Sequence, residues 1–475
     1  MIRRIINTFS PVLLAFFLFP SCDRDDFDDG QEPGGGEKIC FEIAVGVATA
    51  TQSGAQMRAA TDNSYNCTFE NGDEIGVFIV KGSGGLQSSD NWVDNMKMSY
   101  NNGNWTYILP TDREYYPIGE TLDFYAYYPY QSSIDPLNML FPVQTDQSSK
   151  VNFGKSYLLT AVEMNMSNSG NPVRLQFSQA LTMIELTVIS GGDGAKMTDR
   201  VTVTLEGCKS QLDMNLSTGT ATASGSATAI GMYRMEQPDD ANYRTSYTYR
   251  ALIPAQDVAA NTELFKFTQG IRNLSHKPTV QVIFTAGEVK PYDITLQPNL
   301  DPDHVYAFGD IYPHKGLPMG VVFEVSNEGR SGKIIHLFDS PLQKWGPEDD
   351  IETGATSDQD GEYNMEVIRS LDPDFSDYPC FGWCADIGAG WYFPAYREVQ
   401  AFLSKTTRNQ LNPVLMSIGG VVLGDLDISG ALYGSSTEIE NGEIYIASIL
   451  VVDNSLYWLE KRYKFMLPVR AVRKF

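Results

Sequence analysis

The sequence predicts a mainly β protein. Two β-sandwiches, over residues 38–195 and 196–315, are followed by a mixed α+β domain over 316–475. Three observations predict this. From residue 38 to residue 312, apolar residues alternate with a period of two in short runs separated by turn clusters, and no long helical period interrupts them. After Gly316 the pattern changes: Trp345, Trp383, Trp391 and Trp458 gather there, together with the one stretch of clear helical spacing. Finally, only 20% of residues are charged while 41 Gly, 25 Tyr and 24 Phe are many, a balance that fits an extracellular β protein. The 475 residues allow two to four domains at roughly 100–200 residues each. A 42% hydrophobic content excludes global disorder. The 35 Lys and Arg against 59 Asp and Glu give a net charge of −24, which argues against a nucleic-acid partner.

The first 21 residues read as a cleaved signal peptide. Arg3 and Arg4 form a basic start and residues 12–19 (VLLAFFLF) a short apolar core. Eight apolar residues cannot cross a ~30 Å hydrocarbon layer. Phe19-Pro20-Ser21-Cys22 resembles a bacterial lipobox, with Phe19 and Pro20 departing from its usual residues. The resemblance implies that Cys22 is the lipidated N-terminus of the mature chain, anchored in the outer membrane. Residues 22–37 then form an acidic, Gly-rich tether that cannot pack. Its acidic run resembles the surface-export signal of Bacteroidetes lipoproteins.

The strands follow in order. Phe41, Ile43, Val45 and Val47 alternate, as do Ile184, Leu186 and Val188, then Val201, Val203 and Leu205, then Val280, Val282 and Phe284. Asn71-Gly72, Asn102-Gly103, residues 191–194 (GGDG) and Pro298-Asn299 mark turns between runs. Residues 69–78 (FENGDEIGVF) fit the pattern F-x-x-G-D-x-I-G-V-F, with Gly72-Asp73 turning and Ile75, Val77 and Ile79 facing a core. Residues 115–117 (YYP), 122–129 (LDFYAYYP), 175–181 (LQFSQAL), 249–254 (YRALIP) and 305–308 (VYAF) accompany it. Together these resemble the fimbrillin family over roughly residues 40–312, with Gln179 where the family usually has His. The resemblance implies two transthyretin-like β-sandwiches and a stalk, anchor or tip subunit of a pilus, assembled with other fimbrillin subunits by strand exchange. It also implies proteolytic processing, for which Arg58 is the candidate, removing the strand at residues 41–47 and exposing an edge that another chain's strand can fill.

The final domain carries an amphipathic helix over residues 396–415, with Val399, Phe402, Leu403, Leu411, Val414 and Leu415 on one face. Residues 390–395 (GWYFPA) with Glu398-Val399, residues 435–438 (SSTE) and residues 469–473 (VRAVR) resemble the C-type-lectin-like domains of bacterial surface proteins. Gly434 departs from the Trp usual before Ser-Ser-Thr-Glu, which leaves room for a ligand. The alternating segment 469–475 suits pairing with residues 321–325, so no C-terminal strand is spare for donation and the subunit is expected at an end of a polymer.

Enzyme signatures are absent: there is no His-Glu-x-x-His, no Gly-x-Ser-x-Gly and no phosphate loop, so no catalytic residue is assigned. Cys380 and Cys384 are read as a disulfide or two buried thiols, ahead of a redox or copper pair. No Cys-x-x-Cys occurs, and four histidines are few for metal chemistry. No cofactor is expected. Residues 348–352, Asp358 and Asp360 could offer oxygen ligands to Ca²⁺, but no lectin calcium triplet lies in residues 316–475. The expected function is adhesion to a host protein or glycan. The alternatives are a structural pilus anchor or a carbohydrate-handling enzyme of lectin-like fold. Ligand contacts are expected from a long loop region, at Asp427, Tyr433, Glu438, Glu440, Asn441 and Tyr445.

Overall fold

The structure is a computed structural model that describes residues 37–45, 68–82, 84–192, 197–198, 200–235, 243–349, 351–424, 432–440 and 444–475. Strands dominate throughout, as the alternating runs predict. Cys22, Arg58, Asp427 and Asn441 lie outside the described residues.

The first unit is a seven-stranded sheet in the order Phe41–Val45, Val173–Gln179, Leu159–Met166, Leu122–Tyr128, Glu74–Lys81, Val93–Asn101, Asn104–Tyr107. Phe41–Val45 is an edge strand and runs parallel to its neighbour, with Phe41 opposite Val173 and Val45 opposite Phe177. Val173, Leu175 and Phe177 point inward while Arg174, Gln176 and Ser178 face solvent. The two central strands are different. Every residue from Ile75 to Val80 is buried, because apolar material covers both faces of the sheet there.

The family-like signature is explained by packing. Phe69 meets Trp105 at 4.8 Å, Phe177 at 5.6 Å and Tyr128 at 5.6 Å between ring centroids. Gly72 adopts φ +95°, which only glycine takes without strain. Asp73 closes the turn by accepting from the Glu70 N–H at 2.6 Å, and it accepts the Tyr128 hydroxyl at 3.0 Å. Gly76 lies under the Tyr127 ring, where a Cβ would sit 2.2 Å from a ring carbon.

The second unit has two sheets. Thr220–Gly231, Thr202–Asn215, Phe265–Gln269 and Arg272–His276 form one, joined by Met139–Pro142 along Thr202–Asn215. Tyr233–Arg234, Ser246–Ile253, Thr182–Ser190 and Val289–Leu296 form the other. Thr182–Ser190 precedes residue 195, yet it hydrogen-bonds only into this second unit, between Ser246–Ile253 and Val289–Leu296. Val282–Phe284 is a strand, but Val280 falls outside it and is 68% exposed, so the alternation read there stops short.

The C-terminal unit mixes helices and strands. A five-stranded sheet runs Ile311–Tyr312, Gly320–Ser326, Ser331–His336, Val472–Lys474, Trp391–Tyr392. The final strand therefore pairs with Ser331–His336 and Trp391–Tyr392, not with residues 321–325 as the pattern suggested. Gly320–Ser326 folds back on Ser331–His336 as a hairpin, and that second strand takes the inner place beside the C-terminal strand. The expected helix over 396–415 is two helices, Tyr396–Leu403 and Lys405–Ser417. Ser404 ends the first and caps the second, its hydroxyl accepting from the Thr407 N–H at 3.2 Å. Two further helices, Gly361–Leu371 and Pro379–Ile387, precede them. A three-stranded sheet of Leu432–Glu440, Ile444–Leu450 and Leu456–Glu460 completes the unit.

One apolar core runs without a break from the second unit into the C-terminal unit. The join is close. The Gly270 turn presses on the end of helix Lys405–Ser417, where Ile271 N–H donates to the Ser417 carbonyl at 2.8 Å and Gln269 Nε2 to the Ile418 carbonyl at 3.2 Å. Arg272 donates to the Pro313 carbonyl at 2.7 Å from the opposite side of the join. Among the described residues no helix is long and apolar enough to cross a membrane.

Candidate functional site

The three-stranded sheet carries most of the expected contact residues, and it divides them. Tyr433 and Glu438 are not surface contacts. Tyr433 is fully buried and its hydroxyl donates to Asp339 Oδ2 at 2.8 Å. Asp339 in turn accepts from buried Arg470 Nε at 2.6 Å, and Arg470 donates to the His336 carbonyl at 3.0 Å. Burial, then the Asp339 charge, push the Tyr433 hydroxyl well above its ordinary pKa.

Glu438 is 1% exposed. One carboxylate oxygen accepts from the Thr353 N–H at 2.6 Å, the Thr353 hydroxyl at 2.8 Å and the Gly354 N–H at 3.2 Å. The other lies 3.1 Å from the ammonium of Lys461, which is itself buried and also pairs with Asp349 at 3.2 Å. Ser436 accepts from Asn364 Nδ2 at 3.0 Å, and Thr437 donates to the Ser357 carbonyl at 2.8 Å. Ser436, Thr437 and Glu438 thus tie the sheet to residues 353–364, Ser435 donates to the Ala447 carbonyl within the sheet, and all four side chains are interior.

Gly434 opens no space. A Cβ there would lie 3.2 Å from both Leu467 and Phe393, so those side chains occupy the place a larger residue would take. Cys380 and Cys384 are free, fully buried thiols. They sit one turn apart on helix Pro379–Ile387, where Cβ atoms are ~5–6 Å apart, beyond the ~3.5–4.5 Å a disulfide needs. Burial pushes both thiols up, which removes their reactivity. Cys40, by contrast, is disulfide-bonded. The acidic residues offered for Ca²⁺ are dispersed. Asp349 pairs with Lys461, Asp358 with Arg397 at 2.5 Å, and Asp360 caps helix Gly361–Leu371 through the Tyr363 N–H. Among the described residues no three His, Cys, Asp or Glu side chains converge as metal ligands.

What remains at the surface is Glu440 and Tyr445, flanking the hairpin tip. Cross-strand register places Ile439, Tyr445 and Glu460 in one row and Ala447 with Trp458 in the next, all on one face. Glu440 pairs with Ile444 and so alternates to the other face. The Tyr445 and Trp458 rings lie 5.7 Å apart at 48°, and Trp458 is 43% exposed on an edge strand. Arg462 and Glu460 pair beside them at 2.7 Å. The face is thus an open aromatic pair next to a charged pair, with the small Ala447 leaving the Trp458 ring uncrowded. It can stack a flat or apolar group while polar groups at its margin meet hydrogen bonds. Trp458 was not among the sequence candidates. Its signal was Tyr457-Trp458 in a short strand, since adjacent residues face opposite sides and both aromatics cannot enter one core.

A family model described as fimbrillin-like matches residues 58–305. Two relatives match in sequence. One, from Bacteroides uniformis, is named "Putative fimbrium subunit Fim1C" and is 25% identical over 216 residues, covering 44% of this chain and 64% of its own length. The other, from Bacteroides ovatus, is named "Putative fimbrium tip subunit Fim1C" and is 29% identical over 139 residues, covering 26% of this chain and 24% of its own. The chain thus spans less than two thirds of either relative. Among solved structures, a fimbrial protein from Bacteroides ovatus aligns with 93% of this chain and all of its own at 18% identity, with a TM-score of 0.34. A structure titled as a putative cell adhesion protein from the same species covers 55% of this chain and 92% of its own at 18% identity, with a TM-score of 0.42.

Proposed function

The chain belongs to the fimbrillin-like family, and from that premise we propose that it is a cell-surface fimbrial subunit whose residues 316–475 form a lectin-like recognition unit. The observation that carries this reading is the Tyr445–Trp458 face. A buried core would claim so large an indole, yet Trp458 stands 43% exposed in a unit beyond the family match. The names of the two relatives, a fimbrium subunit and a fimbrium tip subunit, support assembly with other fimbrial subunits. In this reading residues 1–21 are removed, Cys22 carries the lipid that anchors the chain in the outer membrane, and residues 22–37 are the tether. The layout then runs through two sandwich units, the second taking in Thr182–Ser190, to the recognition unit. Each sandwich is of transthyretin-like type.

The first strand gives assembly its physical basis. Phe41–Val45 sits at a sheet edge against Val173–Gln179; cleavage after Arg58 would uncover that edge for a strand from another subunit but would also sever the chain from Cys22, so a subunit that stays lipid-anchored is expected to remain uncut. The last strand, Val472–Lys474, is held between two neighbours and is not available for donation. Recognition of a host protein or glycan falls to the exposed face, with Tyr445 and Trp458 as stacking groups and the Glu460–Arg462 pair at its margin. The test is adhesion. Cells carrying Trp458→Ala should display normal amounts of the chain and lose roughly tenfold in attachment to host cells or mucin, the scale of one lost aromatic anchor. Unchanged attachment by both Trp458→Ala and Tyr445→Ala would remove this face from the account.

A further inference from the structure

A cavity of about 550 Å³ opens in the C-terminal unit beside helix Pro379–Ile387, shaped by the end of helix Gly361–Leu371 and the loop between them. That volume suits a small ligand. None of its lining residues belongs to the Tyr445–Trp458 face. Trp383 presents an aromatic wall, held from behind by an edge contact to buried His336 at 5.9 Å. Around it stand Gln343, Arg369, Asp374, Ser376 and Asp386.

The charges decide what fits. Arg369 is held in place by its pairing with Glu366 and by the Phe375 ring 5.3 Å beneath the guanidinium. The Asp374 carboxyl is held below the usual carboxylate range, first by the Ser376 N–H that it accepts at 3.2 Å. Asp374 and Asp386 repel an anionic ligand, while Arg369 keeps the lining from being purely acidic, so a fixed charge of either sign is opposed by at least one of the three groups. A neutral ligand rich in hydroxyls can use all three at once. Its hydroxyls can donate to the carboxylates and accept from Arg369 and the Gln343 amide, while an apolar ring face lies on the indole.

The loop is also set in advance. Phe375 holds φ +56°, a strained value for a bulky side chain. Asp372 fixes the next turn by accepting the Asp377 N–H at 2.8 Å. A wall already shaped this way costs little ordering entropy on binding.

We propose that this cavity is a saccharide site, taking one uncharged pyranose ring against Trp383 with its hydroxyls shared among Asp374, Asp386 and Arg369. The proposal rests on the reading of residues 316–475 as a recognition unit and names the ligand class. It is tested on the full mature chain in solution. Methyl glycosides of glucose, galactose, mannose, fucose and N-acetylglucosamine are titrated by saturation-transfer NMR and tryptophan fluorescence, with N-acetylneuraminic acid and lysine as the anionic and cationic arms. At least one neutral glycoside should bind. Asp386→Asn and Trp383→Ala should each weaken it roughly tenfold or more, the scale of a lost hydrogen bond to a charged group or a lost stacking wall. Trp458→Ala should leave it unchanged. Asp386 is exposed, so its variant folds and decides the matter even where Trp383→Ala does not fold. Binding of lysine or the neuraminic acid alone, no binding of any neutral glycoside, or affinity indifferent to Asp386→Asn would overturn the assignment. The titration reads the cavity alone, whereas the functional reading fails on cells, in localisation or attachment, so the two failures are distinguishable.

Discussion

Glu438 shows how far a residue's role depends on partners distant in sequence. The donors to its carboxylate come from Thr353 and Gly354, 84–85 residues away, and its counterion is Lys461. Sequence placed it in a polar loop region, where an acid reads as a surface contact. Only the fold shows that it neutralises a buried ammonium. Glu438→Ala should therefore cost about 3–5 kcal/mol in a denaturant titration, because buried Lys461 loses its buried counterion and keeps only the partly exposed Asp349 and the Ile351 carbonyl. Tyr433 makes the same point through pH. Its hydroxyl is raised above the ordinary value of 10.0 by burial and by Asp339, so the folded state keeps the proton that the unfolded chain releases. The stability this contributes is fully present below pH 10 and is lost as the pH climbs above it. Thermal melts of wild type should fall above pH 10, where Tyr249, Tyr292 and Tyr392 are raised by burial as well, and Tyr433→Phe should remove one tyrosine's share of that fall while costing about 1 kcal/mol at pH 7.

Among the elements, alternating strands were the most legible, because one buried face imposes period two on the residues themselves. Phe41–Val45 and Thr182–Ser190 read directly from sequence. Helices were less so. The apolar face of 396–415 was seen, but not its break: Val399, Phe402, Leu411 and Leu415 keep their burial across Ser404, so periodicity alone gives one helix. Helix Pro379–Ile387 was missed because Cys380, Phe381, Cys384 and Ile387 are apolar in a segment too short to show a period. The turn at Gly270 has no sequence signal for its partner either. A Cβ there would lie 1.8 Å from the Ser417 carbonyl, and φ is +58°. Gly270→Ala should destabilise by at least about 2 kcal/mol, as strain and backbone overlap combine. Limited proteolysis should show earlier cutting between the second and C-terminal units than in wild type. Identical proteolysis and melting would show that the join bears no strain there.

For the whole molecule, the division into a fimbrillin-like part and a different final third was visible in composition, since four of the six tryptophans and the clear helical spacing fall after Gly316. The continuity between the parts was not. A single core crosses the join, and Arg272, Gln269 and Ile271 all bond across it, so the final third is presented on a rigid support. Rigidity of this kind suits recognition, because a binding face that does not swivel loses less freedom when it engages. The exposed Tyr445–Trp458 pair escaped notice because exposure, unlike period, is a property of the assembled sheet. The central claim is that a fimbrial subunit displays residues 316–475 outward for recognition. Immunogold electron microscopy of intact cells, using antibody raised against that segment, tests it most directly. Label is expected on surface fimbriae. Label confined to the cell body, with fimbriae present and unlabelled, would contradict it.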